Sequence, residues 1–285
     1  MSEDHMGSTF GFGMDPWLSR LGNLRNVVRQ ELVSRQLAAH LPPQGGPLRA
    51  LDVLDVGAGQ GTQALRLARL GHRVTAVEPS ARMREAFDRE AAALPADARE
   101  RVTLLAGDIT ALADITGAAA YDVVLCQGVL MYLPHAGPAI AGLARCAAPG
   151  GLVSVVARNA DALAWRPATR HDWVAALALL DEQERAAAEG RDPSYRNEIG
   201  VPARADRLDD LTAALETEGL HVEEWYGVRV ASDNVPVDAP TPPPDELARI
   251  LDVEEQLGRA DPYRRLGTLL HVVARRPGRP APAAP

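Results

Sequence analysis

Short apolar runs alternate with helical stretches between residues 50 and 157, and this rhythm constrains the fold more than any other feature. The apolar runs are typical of buried strands, while the segments between them carry helical periodicity. Such alternation predicts parallel strands in one sheet with helices on both faces. The predicted strands are Leu51–Val56, Arg73–Val77, Val102–Leu105, Tyr121–Cys126 and Leu152–Ala157, and the helices between them are Thr62–Leu70, Ala81–Ala93 and Pro138–Cys146.

A glycine-rich loop follows the first of these strands and opens the next helix. Its glycines are Gly57, Gly59 and Gly61, and the helix begins at Thr62. Glycine lets the backbone turn sharply and approach a ligand, while the helix presents amides and a positive dipole end. The spacing G-x-G-x-G differs from the dinucleotide fingerprint, and no Lys-Ser/Thr pair follows as in a phosphate loop. A dinucleotide-dependent oxidoreductase is also disfavoured because the chain has no lysine for a Tyr-x-x-x-Lys pair.

An acidic residue, Glu78, ends the second predicted strand. It follows the glycine loop by about 20 residues, the spacing usual in nucleotide-binding folds. An acid at that position can accept hydrogen bonds from both hydroxyls of a ribose. The loop and Glu78 together predict a nucleoside-containing ligand at the carboxyl edge of the sheet.

Several segments of the core together resemble the class I S-adenosylmethionine-dependent methyltransferases. They are Asp55–Gly61, Glu78, Gly107–Ile109, Tyr121–Val124 and Pro149–Gly151. The resemblance covers about residues 50 to 157. It implies an α/β fold with a Rossmann-like, seven-stranded, mostly parallel sheet whose last strand is antiparallel, and S-adenosyl-L-methionine as the cofactor. The cofactor-binding residues that it implies are Asp55, Gly57, Ala58, Gly59 and Glu78, with Asp108 at the adenine amino group and Ile109 beside it.

A weaker likeness outside the core is to the tRNA 5-carboxymethoxyuridine methyltransferases. It rests on Gly22–Arg25, Gly227–Val230, Leu251–Leu257, Asp261–Gly267 and Leu270–Arg275. Enzymes of that family esterify the carboxylate of a modified wobble uridine. The likeness implies that Arg25 helps to hold the cofactor and that Gln127, where histidine is usual, also lines the site.

The acceptor is expected beside an insertion, residues 158–205, that interrupts the alternation after the fifth strand. Substrates of open α/β sheets bind at that edge, and arginines with aromatic side chains suit a flat anionic partner. A carboxylate acceptor needs no base, whereas a hydroxyl or amine would benefit from one, for which Tyr132 and His135 are the candidates. The predicted substrate-binding residues are Arg158, Asn159, Trp165, Tyr195, Arg196 and Arg229.

Charge and composition leave the acceptor open. The formal net charge of −8 argues against a globally basic surface for nucleic acid. The acceptor is therefore tRNA or a small anionic molecule, the latter as in natural-product or metabolite O- or N-methyltransferases. A non-catalytic nucleoside-binding protein of the same fold is the alternative of another class. No metal is predicted, because no His/Cys/Asp cluster has ligand spacing.

The predicted organisation has three parts. Residues 1–49 form an N-terminal helical lid with a helix over Trp17–Leu41, residues 50–276 form the methyltransferase domain, and residues 277–285 form a disordered tail. No apolar run is long enough to span a bilayer and no secretory signal is evident, so a cytoplasmic location is expected. The later predicted elements are helices at Asp172–Glu189, Asp206–Glu218 and Asp245–Leu257 and strands at Val222–Val230 and Gly267–Arg275.

Overall fold

The computed structural model describes residues 20–42 and 49–278 and contains one large sheet of seven strands. The strand order is β3-β2-β1-β4-β5-β9-β8, in which β9 is antiparallel to both of its neighbours and the first five strands are parallel. The strands are β1 Asp52–Val56, β2 Arg73–Val77, β3 Val102–Leu105, β4 Tyr121–Gln127, β5 Ala147–Arg158, β6 Ser194–Arg196, β7 Pro202–Arg204, β8 His221–Val228 and β9 Leu269–Arg275.

Helices cover both faces of the sheet. One face packs against α1, α2, α3 and α10, and the other against α5, α6 and α9, so apolar side chains of alternate strand positions are buried on each side. The helices are α1 Leu24–Ala38, α2 Thr62–Arg69, α3 Ala81–Ala92, α4 Ala96–Arg99, α5 Leu112–Thr116, α6 Gly137–Cys146, α7 Trp165–Thr169, α8 Trp173–Ala188, α9 Leu208–Thr217 and α10 Pro244–Arg259.

The predicted fold class is confirmed, including the antiparallel last strand. Each predicted strand and helix is present with ends shifted by a few residues, the largest strand shift being the start of β5 at Ala147. The first helix begins at Leu24 rather than Trp17, because Asn23 caps it by accepting the Asn26 amide at 2.9 Å. The remainder of the predicted lid, residues 1–19 and 43–48, and residues 279–285 of the predicted tail lie outside the described residues.

The insertion after β5 begins and ends at the same place in the fold. It contains α7, α8 and the hairpin of β6 and β7, which was not predicted. Its two ends meet in a parallel bridge between Asn159 and Asp206, next to the carboxyl end of β5. The insertion therefore stands above the edge of the sheet at which the glycine loop lies. Within the described ranges, no helix has the length and apolarity that crossing a membrane requires.

Candidate active site

The glycine loop joins β1 to α2 at the carboxyl edge of the sheet. Gly57 and Gly59 have φ angles of +69° and +58°, in the left-handed region that favours glycine. The Gly57 amide donates to the carbonyl of Val77 at 2.8 Å, which ties the loop to the end of β2. A Cβ atom on Gly57 would lie 2.4 Å from Cγ2 of Val129. The loop conformation therefore requires glycine at this position.

Glu78 lies directly after β2 and is buried beneath the loop. Its Oε2 accepts the Gly59 amide and its Oε1 accepts the Ser80 amide, both at 2.9 Å. Burial raises the pKa of Glu78, and the two amides only partly offset that effect. Each carboxylate oxygen has a second lone pair, so Glu78 can still accept hydroxyl groups from a ligand.

The loop, Glu78 and α1 surround a cleft of about 1120 Å³, part of it open to solvent, which we call the first cavity. Arg29 on α1 and Tyr132 after β4 contribute to its wall. Six of the predicted cofactor-binding residues line it: Asp55, Gly57, Ala58, Gly59, Glu78 and Gln127.

Two polar side chains of the first cavity suit it to a polar ligand. Burial raises the pKa of Asp55 to about 7, against the effect of the Ala64 amide and with a contribution from Glu78. The Nε2 atom of Gln127 is buried and has no hydrogen-bond partner among the described residues. A buried donor without a partner costs about 1–3 kcal/mol. A ligand that accepts a hydrogen bond there would remove that cost.

A second cavity of about 1060 Å³ adjoins the first. The two share Arg29, Gly128 and Tyr132, so a ligand in one lies next to a ligand in the other. Glu198 is the carboxylate in the lining of the second cavity, as far as the chain is described. The arginines in that lining are Arg20, Arg25, Arg29, Arg158, Arg166, Arg196 and Arg229. The local charge is therefore strongly positive although the whole chain is acidic.

Two carboxylates are embedded among these arginines. Asp233 is buried, accepts a hydrogen bond from Arg25 Nη2 at 2.8 Å and lies 3.2 Å from Nε of Arg229. Glu198 is hydrogen-bonded to both Arg25 and Arg166. Burial alone would raise the pKa of Asp233, but Arg229 and Arg25 hold that pKa far below its usual range. Both carboxylates are therefore ionised at neutral pH.

Some guanidinium nitrogens in this cavity still lack a hydrogen bond. Arg25 Nη1 and Arg158 Nε are buried without a hydrogen-bond partner in residues 20–42 and 49–278. The guanidinium of Arg158 lies over the ring of Tyr195, 5.2 Å from its centroid. Guanidinium groups bind carboxylate and phosphate through paired hydrogen bonds. The unpaired donors therefore favour an anionic ligand in the second cavity.

The backbone of Arg229 is in an unusual conformation. Its φ angle is +58°, which is rare for a residue with a side chain and costs about 1–3 kcal/mol. Strain of this kind persists where the surrounding structure imposes it, and it is concentrated at ligand sites. Arg229, the residue with this backbone conformation, lines the second cavity.

Tyr132 stands at the junction of the two cavities, whereas His135 lines neither. The Tyr132 hydroxyl accepts a hydrogen bond from Nδ2 of Asn197 at 3.1 Å. Burial raises the pKa of Tyr132, so its hydroxyl stays protonated at neutral pH and is a poor base. His135 is exposed on the surface. The arrangement suits Tyr132 to positioning rather than to proton abstraction.

Several other predicted site residues lie away from their expected places. Arg25 lines the second cavity rather than the first. Asp108 accepts the Thr110 amide at 2.8 Å and caps a short 3₁₀ turn, while Ile109 is buried in the core, and neither lines a cavity.

Two predicted substrate-binding residues are also outside both cavities. Asn159 is buried and donates to the carbonyls of Arg265 and Gly267, which makes it a fold-stabilising residue at the base of the insertion. Trp165 has 43% of its surface exposed and faces solvent. The other four predicted residues, Tyr195, Arg196, Arg158 and Arg229, line the second cavity.

The charged residues of the site that the sequence did not predict include Arg29, Arg166 and Glu198. Arg29 follows Arg25 by four residues, one helical turn along α1, and this spacing could have identified it. Arg166 and Glu198 gave no comparable signal, because their partners are distant along the chain. Among the residues described, no group of three or more His, Cys, Asp or Glu side chains could hold a metal ion.

Comparison with known proteins identifies the family. A methyltransferase domain model matches residues 54–155, the part that forms the glycine loop and β1 to β5. The ubiquinone biosynthesis O-methyltransferase of Methylocella silvestris is 32% identical over 208 residues, covering 65% of this chain and 75% of that protein. The chain belongs to the S-adenosylmethionine-dependent methyltransferases. Another member, the tRNA 5-carboxymethoxyuridine methyltransferase of Escherichia coli strain K12, is 28% identical and aligns with 90% of this chain and 89% of its own length.

Solved structures of other methyltransferases share the fold. The Burkholderia thailandensis 1,6-didemethyltoxoflavin N1-methyltransferase, with bound S-adenosylhomocysteine, has a TM-score of 0.56 at 20% identity, over 95% of this chain and 85% of its own. The glycopeptide N-methyltransferase MtfA with S-adenosylmethionine has a TM-score of 0.51 at 18% identity, over 88% and 94%. As a member of this family, the chain is an enzyme whose cofactor is S-adenosylmethionine.

Proposed function

We propose that this methyltransferase transfers its methyl group to a carboxylate oxygen of an acceptor bound in the second cavity. The observation that carries the proposal is the unpaired, buried guanidinium nitrogens of Arg25 and Arg158 in a cavity continuous with the first. An anionic group is the ligand that such donors favour. The same continuity provides the acceptor route that a non-catalytic nucleoside-binding protein would lack.

The first cavity fits the cofactor. S-adenosylmethionine supplies an activated methyl group on a sulfonium when it is bound. We infer that the glycine loop, Asp55, Glu78 and Gln127 hold it, because they combine a backbone that approaches closely, a buried acid for the ribose and an unsatisfied amide donor. The protein's main task is then to align the acceptor and exclude water.

The ionisable groups of the second cavity support an acceptor that is already anionic. Burial raises the pKa of Tyr132 and of Tyr195, and arginines hold that of Glu198 below its usual range. None of these groups is therefore suited to remove a proton from a hydroxyl or amine near pH 7. A carboxylate needs no such help, so a cavity of this composition favours ester formation.

Within the carboxylates, we propose the carboxymethoxy group of a modified tRNA uridine as the acceptor. The support is the likeness to the Escherichia coli tRNA enzyme along 90% of the chain, including the segments outside the core. The second candidate is the hydroxyl of a small molecule, which the likeness to ubiquinone O-methyltransferases favours.

The test is methyl transfer from radiolabelled cofactor to a panel of acceptors. The panel contains bulk tRNA with the unesterified uridine acid, small carboxylates and phenols. We expect label in an alkali-labile ester on a carboxylate, and with tRNA a rate that falls steeply with salt because phosphate contacts release counterions. A salt-insensitive label in small carboxylates would identify a small acid instead. Label only in phenols or amines would refute the carboxylate proposal.

Replacing Arg158 with alanine should raise the KM for the acceptor roughly 10- to 100-fold, because it removes charge-assisted hydrogen bonds to the anionic group. The turnover number should change less, since the reacting atoms stay in place. Steady-state kinetics of Arg158→Ala and Arg158→Lys measure this, and Lys should rescue only in part because it lacks the planar fork. The exposed Arg185, outside both cavities, provides the control variant Arg185→Ala. An unchanged KM in Arg158→Ala would contradict the assignment.

A further inference from the structure

Glu198 and Asp233, the two carboxylates among the arginines, differ in their position in the fold and in their exposure to solvent. Glu198 lies in the turn between β6 and β7, whereas Asp233 lies in a 3₁₀ turn after β8. The side chain of Glu198 is 34% exposed and that of Asp233 is 4% exposed. Asp233 is thus buried behind the arginines, and Glu198 reaches the same guanidinium groups from a more exposed position.

The contacts of Glu198 are those that a carboxylate ligand would make. Its Oε1 accepts hydrogen bonds from Arg25 and from Arg166. The backbone carbonyl oxygen of Glu198 accepts a third hydrogen bond, from Nη1 of Arg20 at 3.0 Å. Burial alone would raise the pKa of Glu198, but Arg229, Arg25 and Arg166 lower it by more than burial raises it. The group is therefore anionic. It occupies guanidinium donors that are otherwise available to an acceptor.

The hairpin that carries Glu198 is anchored at its base by contacts that do not involve its tip. Arg204 at the base donates to the carbonyls of Leu130 and Leu133 and pairs with Asp206. At the tip, Asn197 bonds to the amides of its own turn, and the contact from its side chain to the body of the protein is the one to Tyr132. Movement of the tip would therefore release Glu198 without loss of the hairpin's anchor.

The charges around Glu198 determine what can replace it. Arg25, Arg158, Arg166 and Arg229 carry four positive charges, and Asp233 with Glu198 carries two negative ones. Withdrawing Glu198 raises the excess of positive charge in this group from two to three, which is costly unless another anion arrives. An anionic acceptor can compensate this excess, whereas a neutral acceptor cannot.

We propose that Glu198 is a resident carboxylate that occupies the acceptor's anion position and yields it by exchange, so that it selects anionic over neutral acceptors. This inference rests on the proposed function for its anionic acceptor. Glu198 is then a specificity-determining residue. It takes no part in methyl transfer itself.

The test compares the wild-type enzyme with Glu198→Gln in binding a simple carboxylate. Acetate is titrated at constant ionic strength against chloride, and affinity is read from calorimetry and from the shift in melting temperature. We expect Glu198→Gln to bind acetate about tenfold more tightly, because glutamine removes the competing charge but keeps the shape. The exposed Glu216, on α9, gives the matched control Glu216→Gln, which should behave as wild type. Adding Arg166→Ala to Glu198→Gln should abolish the gain.

Kinetics provide the second readout. Glu198→Gln should lower the KM for the methylated anionic acceptor and leave turnover nearly constant. Weaker or unchanged acetate binding in a folded Glu198→Gln would overturn the inference, since a residue that only buttresses the arginines would give that result. Tighter acetate binding with no methylation of any carboxylate would refute the proposed function while leaving the exchange intact.

Discussion

Replacing Gly57 with valine should weaken the binding of S-adenosylmethionine at least about 30-fold and lower the melting temperature. A β-branched side chain at a φ of +69° costs about 1–3 kcal/mol. Its Cβ would also lie 2.4 Å from Cγ2 of Val129, and such overpacking costs about another 1–3 kcal/mol. The combined cost of about 2–6 kcal/mol corresponds to roughly 30-fold or more in affinity if the loop must leave its place. Calorimetry with S-adenosylhomocysteine and thermal unfolding measure the two effects.

Gly71 offers a matched control for the cost of placing a side chain at a positive φ angle. It has a φ of +96° in the turn before β2, and a Cβ there would meet nothing within 4 Å. Gly71→Val should therefore lose stability through its backbone but keep cofactor affinity. If both variants lost affinity equally, general destabilisation would explain the result and the loop would lose its assigned role.

The sheet could be predicted from the sequence because its signals are local. The strands β1 to β5 each contain a short apolar run, and the loop between β1 and α2 is marked by glycines that the backbone angles require. The antiparallel direction of the last strand came from the family resemblance, since no local pattern gives the direction of a strand relative to its neighbour. Strand ends moved where hydrogen bonding continued past the apolar run, as at the start of β5.

The arginine-rich cavity could be predicted only in part because its charges pair across long stretches of chain. Arg25 bonds to residues that follow it by 173 and 208 positions, and no periodicity links them. Arg25 was therefore expected at the cofactor, although its ion pairs hold it in the second cavity. The net charge of the whole chain was likewise a poor guide to the field inside this cavity.

Replacing Glu78 with alanine should weaken cofactor binding by roughly 30- to 150-fold, or about 2–3 kcal/mol. The ribose would lose charge-assisted hydrogen bonds, and the amides of Gly59 and Ser80 would lose their acceptor. Because Gly59 and Ser80 both line the first cavity and are joined through Glu78, part of the loss should appear as a less ordered loop. Calorimetry with S-adenosylmethionine and S-adenosylhomocysteine, on variants whose melting is still cooperative, measures the change.

Two further variants test whether the loss of cofactor affinity is specific to Glu78 or would follow from removing any carboxylate near the sheet. Glu78→Asp keeps the charge on a side chain one methylene shorter, so it should retain part of the affinity that alanine loses. Asp52, at the opposite end of β1, pairs with Arg73 on the surface, and Asp52→Ala should leave cofactor affinity unchanged. A folded Glu78→Ala with wild-type affinity would show that the ribose is bound by other residues. The larger loss in alanine than in aspartate is the result expected if a buried acid at the end of β2 holds the ribose hydroxyls.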